Sequence, residues 1–191
     1  MKERIIQRFS DSADLKVRFV KENVDRIISV VEVITNAIKQ GNKIVFFGNG
    51  GSAADAQHIA AEFVNRFLIE RPPLPALALT TDTSIITSIG NDVDFSDIFS
   101  RQIRALCTKG DVAMGFSTSG NSLNIIKAFH VAKEIGIKTI AITGKGGGKV
   151  AEMADHSLSV DSNLTPRIQE VHITIGHVIC ELVESLLFDK K

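Results

Sequence analysis

The chain has 191 residues, 44% of them hydrophobic and 23% charged, which are the proportions of a folded globular protein and not of a disordered one. That length holds one domain of ordinary size. Lys+Arg and Asp+Glu both number 22, so the formal net charge is zero and nothing draws a polyanion, which argues against nucleic acid as a partner.

The N-terminal stretch MKERIIQRFSDSADLK lacks both the continuous apolar core and the small-residue cleavage site of a secretory leader. The first forty residues read as helical. Val24, Ile27, Ile28, Val31, Ile34 and Ile38 recur at steps of three and four, and Gly41 closes the pattern as a C′ glycine. Ile5, Phe9, Leu15 and Val20 suggest a separate, weaker helix before it. From residue 43 the texture changes to short, continuously apolar runs: KIVFF at 43–47, ALAL at 76–79, VAMGF at 112–116, TIAIT at 139–143 and a weaker SLSV at 157–160. Continuous apolarity means burial on both faces, as in a parallel sheet covered by helices. Helical stretches separate the runs at about 53–67, 94–107, 122–135 and 148–154, with a last helix over about 166–188. Pro72, Pro73 and Pro75 mark a loop before the second strand. Strand and helix alternate, so the class is α/β with a parallel sheet. No run approaches the ~18 apolar residues that cross a bilayer, and no membrane is expected as a partner. Cys107 and Cys180 have neither CxxC nor Cys/His finger spacing and read as reduced, buried thiols of a cytoplasmic protein.

In open α/β sheets, ligands sit beyond the carboxyl ends of the strands. Two loops there carry chemistry. The first strand runs through Gly48-Asn49-Gly50-Gly51-Ser52 directly into a helix, a geometry that lets a ligand approach the backbone and meet free N–H groups. Gly48, Gly50 and Ala53 also fit a dinucleotide fingerprint, with Asp82 as its ribose acid, but a lone match of that kind is weak. The third strand runs into Ser117-Thr118-Ser119-Gly120-Asn121-Ser122, again at a helix start. One hydroxyl there would be an N-cap; four favour a phosphate-sized anion site. Ser119 stands where a nucleophile elbow requires glycine. The cluster Gly144 to Val150 lacks the Gly-Lys-Ser/Thr of a P-loop and reads as a flexible turn, with Lys145 within it a weaker candidate for anion contact.

A third cluster is made of side chains. His58 and Glu62 are four residues apart on one helix, about 40° around its axis, so they share a face. Gln169 and His177 on the last helix are eight apart, about 80° around the axis, and share a broader face. Such polar faces are usually solvated surface, but His172 and His177 lie in an otherwise apolar helix where imidazoles need partners. The two are five apart and cannot serve one point equally, so one of them is structural. His130 and His156 read as structural or surface residues.

Together, GNGGSAADAQHIAAEF at 48–63, STSGNS at 117–122 and RIQEVHITIGH at 167–177 resemble the phosphoheptose isomerases, a branch of the sugar isomerase (SIS) family, over essentially the whole chain. The resemblance implies a flavodoxin-like sandwich, with a five-stranded parallel sheet between helices and two N-terminal helices. It implies one SIS domain over 1–191, with a helical arm at 1–41 and an α/β core at 42–191. It implies a homotetramer with active sites at subunit interfaces. The implied reaction is aldose–ketose isomerisation of sedoheptulose 7-phosphate to D-glycero-D-manno-heptose 7-phosphate, the first step toward activated heptose for lipopolysaccharide or surface glycans. By the same resemblance, Ser117, Thr118, Ser119 and Ser122 would hold the phosphate. Asn49, Gly50, Gly51, Ser52, Asn91 and Asp92 would line the sugar chain, with Glu62 and Gln169 also in contact with substrate. His58, Glu62, Gln169 and His177 would hold a zinc ion, with Glu62 and His177 the acid/base pair. One departure is visible: Pro166 stands just before the RIQE segment, where some members have an acidic residue. The alternative is a non-catalytic SIS adaptor that binds a replication-initiator protein. It would share both loops but would have no need of the His58/Glu62/Gln169/His177 set.

Overall fold

The computed structural model describes residues 1–188, so the last three positions of the expected core, 189–191, lie outside it. A long helix α1 (Lys2–Lys39) leads into β1 (Ile44–Gly48), α2 (Gly51–Val64), β2 (Ala76–Ala78) and α3 (Thr83–Asp92). A 3-10 turn (Phe95–Asp97) then runs into α4 (Ile98–Leu106), β3 (Val112–Ser117) and α5 (Leu123–Glu134). The chain closes with β4 (Lys138–Thr143), α6 (Gly148–Met153), β5 (His156–Ser159) and α7 (Thr165–Phe188). The five strands form one parallel sheet in the order β2-β1-β3-β4-β5.

Successive residues of the buried strands face opposite layers. Phe46, Met114, Phe116, Ile140 and Ile142 pack against α1, α2 and α7, while Val45, Phe47, Ala113 and Ala141 pack against α4, α5 and α6. Because β1 pairs with both β2 and β3, the direction of winding reverses beside it. The crevice at that switch point opens between the loops that leave β1 and β3.

Three expectations need correcting. The N-terminal region is one uninterrupted helix of 38 residues, not two. No glycine or proline occurs before Gly41 to break it. Its buried stripe runs through Leu15, Phe19, Asn23, Ile27, Val30, Val31 and Ile34, so Val24 and Ile28 are left 48% and 47% exposed. Second, α3 fills a stretch with little helical signal, because TSIITSIGND is rich in β-branched and hydroxyl residues and only Ile86 and Ile89 pack, partly buried, on the core. What starts this helix is Asp82, whose carboxylate accepts the Ile85 N–H at 2.9 Å; the residue that mimicked a ribose acid is an N-cap. Third, α7 is by length and composition apolar enough to cross a membrane. One apolar face of it packs in the core with α1 and α2 and brings His172 and Glu184 there, while Leu182 and Leu186 stay exposed on the other side. Pro166 occupies the first turn of α7, where a missing N–H costs nothing.

Candidate active site

The turn between β1 and α2 is tight because Gly48 has no room for a Cβ against the backbone and Cβ of Ser52, and Gly50 adopts φ +55°. Ser52 is consequently buried beneath the turn, whereas Gly50 and Gly51 are exposed. Asn49 exchanges a pair of amide hydrogen bonds with Asn124 on α5, at 3.0 and 2.8 Å. That pair ties the two sheet-end loops together across the switch point.

The second loop wraps the N-terminus of α5. Ser117 is buried and its hydroxyl lies 3.0 Å from that of Ser122, the N-cap, whose side chain makes no capping bond and so stays available. Thr118 is half-buried and Ser119 exposed. With Lys145, Ser162, Asn163, Thr165 and Ile168 they line a recess of about 290 Å³. The Lys145 ammonium at its edge is 3.4 Å from Asp161. The glycine cluster after β4 is no free turn: Gly146, Gly147 and Gly148 all have positive φ, and the loop packs on the hydroxyl loop. The Val150 N–H donates to the Gly120 carbonyl at 2.9 Å and the Lys149 N–H to Asn121 Oδ1 at 3.3 Å.

Between α2 and α7 the side-chain cluster is assembled. His58 Nε2 lies 3.1 Å from Glu62 Oε1 and 3.5 Å from His177 Nε2, although His58 and His177 are 119 positions apart. One ligand atom from each of the three falls within 4.8 Å of the others. The helices come this close because Gly176 offers no side chain where Ile59 packs. Phe67, in the loop after α2, stacks on the His177 ring at 5.5 Å. Burial, aided by His58, holds the His177 imidazole below its ordinary pKa, with the Glu62 carboxylate opposing. Gln169, two turns earlier on α7, lays its amide over Gly51, so this face of α7 meets the β1 loop as well.

His172 is the structural histidine of the pair. It is fully buried, and its Nε2 lies 3.0 Å from the Thr143 carbonyl, which can only accept, so that nitrogen carries the proton. Burial pushes its pKa down to about 4. His130 is exposed beside Glu134 at 3.3 Å, and His156 rests on the Ser29 hydroxyl at 3.3 Å. Asn91 and Asp92 lie exposed at the end of α3, bonded to each other at 2.7 Å; among the described residues no hydrogen bond joins them to the cluster or to either loop.

Three residues beside the site were not singled out in the sequence. Asn124 and Phe67 carry no local signal of their roles. Asp55, one turn before His58, has its carboxyl raised in pKa by burial, with His58 opposing, and its Oδ2 is buried without a hydrogen-bond partner. Its spacing of three from His58 was the available clue.

The family model for the SIS domain matches residues 8–144. The phosphoheptose isomerase of Aquifex aeolicus is 55% identical over 190 residues, 100% of both chains. That of Thermodesulfovibrio yellowstonii is 51% identical, covering 99% of this chain and 94% of its own. Among solved structures, a phosphoheptose isomerase from Neisseria gonorrhoeae superposes with a TM-score of 0.91 at 44% identity, covering 96% of this chain and 98% of its own.

Proposed function

The chain belongs to the SIS-domain family, among its phosphoheptose isomerases, and we propose that its reaction is carried by Glu62 and His177 in the cluster between α2 and α7. The enzyme interconverts sedoheptulose 7-phosphate and D-glycero-D-manno-heptose 7-phosphate. Isomerisation moves a proton between C1 and C2 through a cis-enediol, which requires a base, an acid and stabilisation of a developing oxyanion. Glu62 takes the proton as a carboxylate and His177, its pKa lowered, exchanges the proton of the neighbouring oxygen. The hydroxyls of Ser117, Thr118, Ser119 and Ser122 and the N-terminus of α5 hold the phosphate, far from the reacting carbons. Asn49, Gly50, Gly51, Gln169, Asn91 and Asp92 line the sugar chain, the last two, exposed at the end of α3, reaching it only if subunits assemble around the site. Ser52 supports the turn from beneath.

The donor set fits zinc: two imidazoles and a carboxylate with ligand atoms within 4.8 Å of one another are the nitrogen and oxygen ligands that ion takes. His58, Glu62, Gln169 and His177 would hold it, and when bound it supplies polarisation of the substrate carbonyl. The helical arm 1–41 and the core 42–191 read as one domain, because Leu15 to Ala37 enter the same apolar layer as α2 and α7. The exposed Val24 and Ile28, with the outer face of α7, are surplus apolar surface that a homotetramer would cover. Sedimentation should give four chain masses, and a single chain mass would remove this part of the reading. Buried free Cys107 and Cys180 suit the reducing cytoplasm.

The convergence of His58, Glu62 and His177 carries the catalytic assignment, and an adaptor surface would have no use for it. Replacing Glu62 by Gln keeps shape and removes the base. Turnover of sedoheptulose 7-phosphate should fall at least ~10²-fold in kcat with KM little changed. Near-parental kcat would move the chemistry elsewhere.

A further inference from the structure

Seven residues after His177, two turns along α7 and on the same face, stands Glu184. It is 2% exposed, yet it is ionised. Burial raises the carboxyl pKa, but hydrogen bonds from the Phe67, Leu68, Arg71 and Ile69 N–H groups outweigh it and hold the group below the usual carboxylate range. Three consecutive backbone N–H groups donate to it: Phe67 at 2.9 Å, Leu68 at 2.8 Å and Ile69 at 3.2 Å. Arg71 Nε donates at 2.7 Å, its own side chain also 2% exposed. The rest of that guanidinium turns back to α2. Nη2 donates to the Glu62 carbonyl at 2.8 Å, and Nη1 to the Phe63 carbonyl at 2.9 Å and the Pro72 carbonyl at 3.1 Å.

These contacts form a chain between the two halves of the cluster. The carbonyls of Glu62 and Phe63 are among the last of α2, which are left without helical partners, and the arginine caps them. The helix end so fixed is the residue whose carboxylate faces His58. The loop so fixed carries Phe67, whose ring stacks on His177. Glu184 stands on the same helix as His177, so its carboxylate refers both contacts back to α7. Stability alone does not call for this arrangement, since a buried ion pair contributes about as much as well-packed apolar residues of the same volume.

We propose that Glu184 and Arg71 are positioning residues for the isomerisation, setting the Glu62 carboxylate and the His177 ring in register across the gap between α2 and α7. The inference rests on the catalytic reading above. It is tested in the full chain with Glu184→Gln, which keeps the side-chain shape but puts an amide N–H against donors, and with Phe67→Leu, which leaves the charge pair intact and removes the ring from His177. For each, kcat, KM and the visible absorption of the Co(II)-titrated protein are measured, with thermal melting to establish folding. We expect kcat to fall by about 10- to 100-fold with KM within about twofold, and the Co(II) spectrum and affinity to change, as when the partner of a metal ligand is altered. Folded variants with parental kcat and a parental Co(II) spectrum would overturn the proposal. If Glu184→Gln does not fold, Phe67→Leu decides by the same criteria. Failure of the catalytic reading looks different: Glu62→Gln would then retain kcat, whereas failure of the positioning role leaves Glu62→Gln impaired and the other two intact.

Discussion

The hydroxyl loop and the histidine–glutamate cluster are two ways of building a site on one sheet. Residues 117–122 are contiguous, set by the end of β3, the start of α5 and the Gly120 turn at φ +64°. Their geometry is fixed by backbone within a single β–α unit and braced by the neighbouring glycine loop. The cluster is local only in its His58–Glu62 half, four residues apart on α2. His58 and Glu62 meet His177 only because Gly176 admits Ile59 and because Arg71 and Glu184 hold the end of α2 to α7. A loop of the first kind suits a remote phosphate, whose binding would be felt equally in ground and transition states. A cluster of the second kind holds reacting groups, where a displacement of about an ångström costs rate.

The contrast is sharpest in His177→Gln. On the proposed assignment of His177 as proton carrier and metal ligand, loss of its imidazole should lower kcat at least ~10²-fold and weaken zinc binding, read by steady-state kinetics and by metal titration. Parental kcat in that variant would break the division of labour. The loop gives a smaller effect of another kind. Ser119→Ala alone should raise KM by about 10- to 100-fold, at about 1.5–3 kcal/mol for one hydrogen bond to a charged group, with kcat and melting temperature nearly unchanged. A fall in kcat without a rise in KM would place the phosphate elsewhere.

How much of this was legible in the sequence follows the same line. The strands were, because KIVFF, VAMGF and TIAIT are apolar on both faces and only a covered parallel sheet uses such runs. The hydroxyl loop was, because its chemistry is contiguous. The weak pattern from Ile5 to Val20 suggests a separate helix, yet no glycine or proline parts it from the stripe that follows; of that stripe Ile27, Val31 and Ile34 are buried, whereas Val24 and Ile28 are exposed. For α3 the apolar face is only Ile85, Ile86 and Ile89, three β-branched residues among hydroxyls, too short a pattern to stand out as a helix. His58 and Glu62 were visible as a helical pair, but their partner on α7 depends on packing through Gly176, and only the resemblance named it. Nothing in the local sequence of Glu184 and Arg71 shows that a loop folds its N–H groups onto one carboxylate.

The smallest effect concerns His172, the histidine on the far side of α7 from this chemistry. In the fold its pKa is about 4, and in the unfolded chain it is near 6.5. Between those values the unfolded state binds the extra proton. Its neutrality is therefore without cost above about pH 6.5, and stability falls as pH drops toward about 4, by at most about 3 kcal/mol. Denaturant unfolding across that window should show His172→Gln, which keeps an N–H donor for Thr143, losing less stability than the parent, by about one proton in slope. Parallel curves would mean that other groups set the acid limit.

The catalytic role of Glu62 is tested most directly by isomerising sedoheptulose 7-phosphate in deuterium oxide and following label at C2 of the aldose product by NMR. With Glu62 as the base, solvent deuterium enters C2 in the parent enzyme, and in Glu62→Gln product formation and label uptake fall together by at least ~10²-fold. Product formation, or label uptake at C2, as fast in Glu62→Gln as in the parent would contradict proton transfer through this carboxylate.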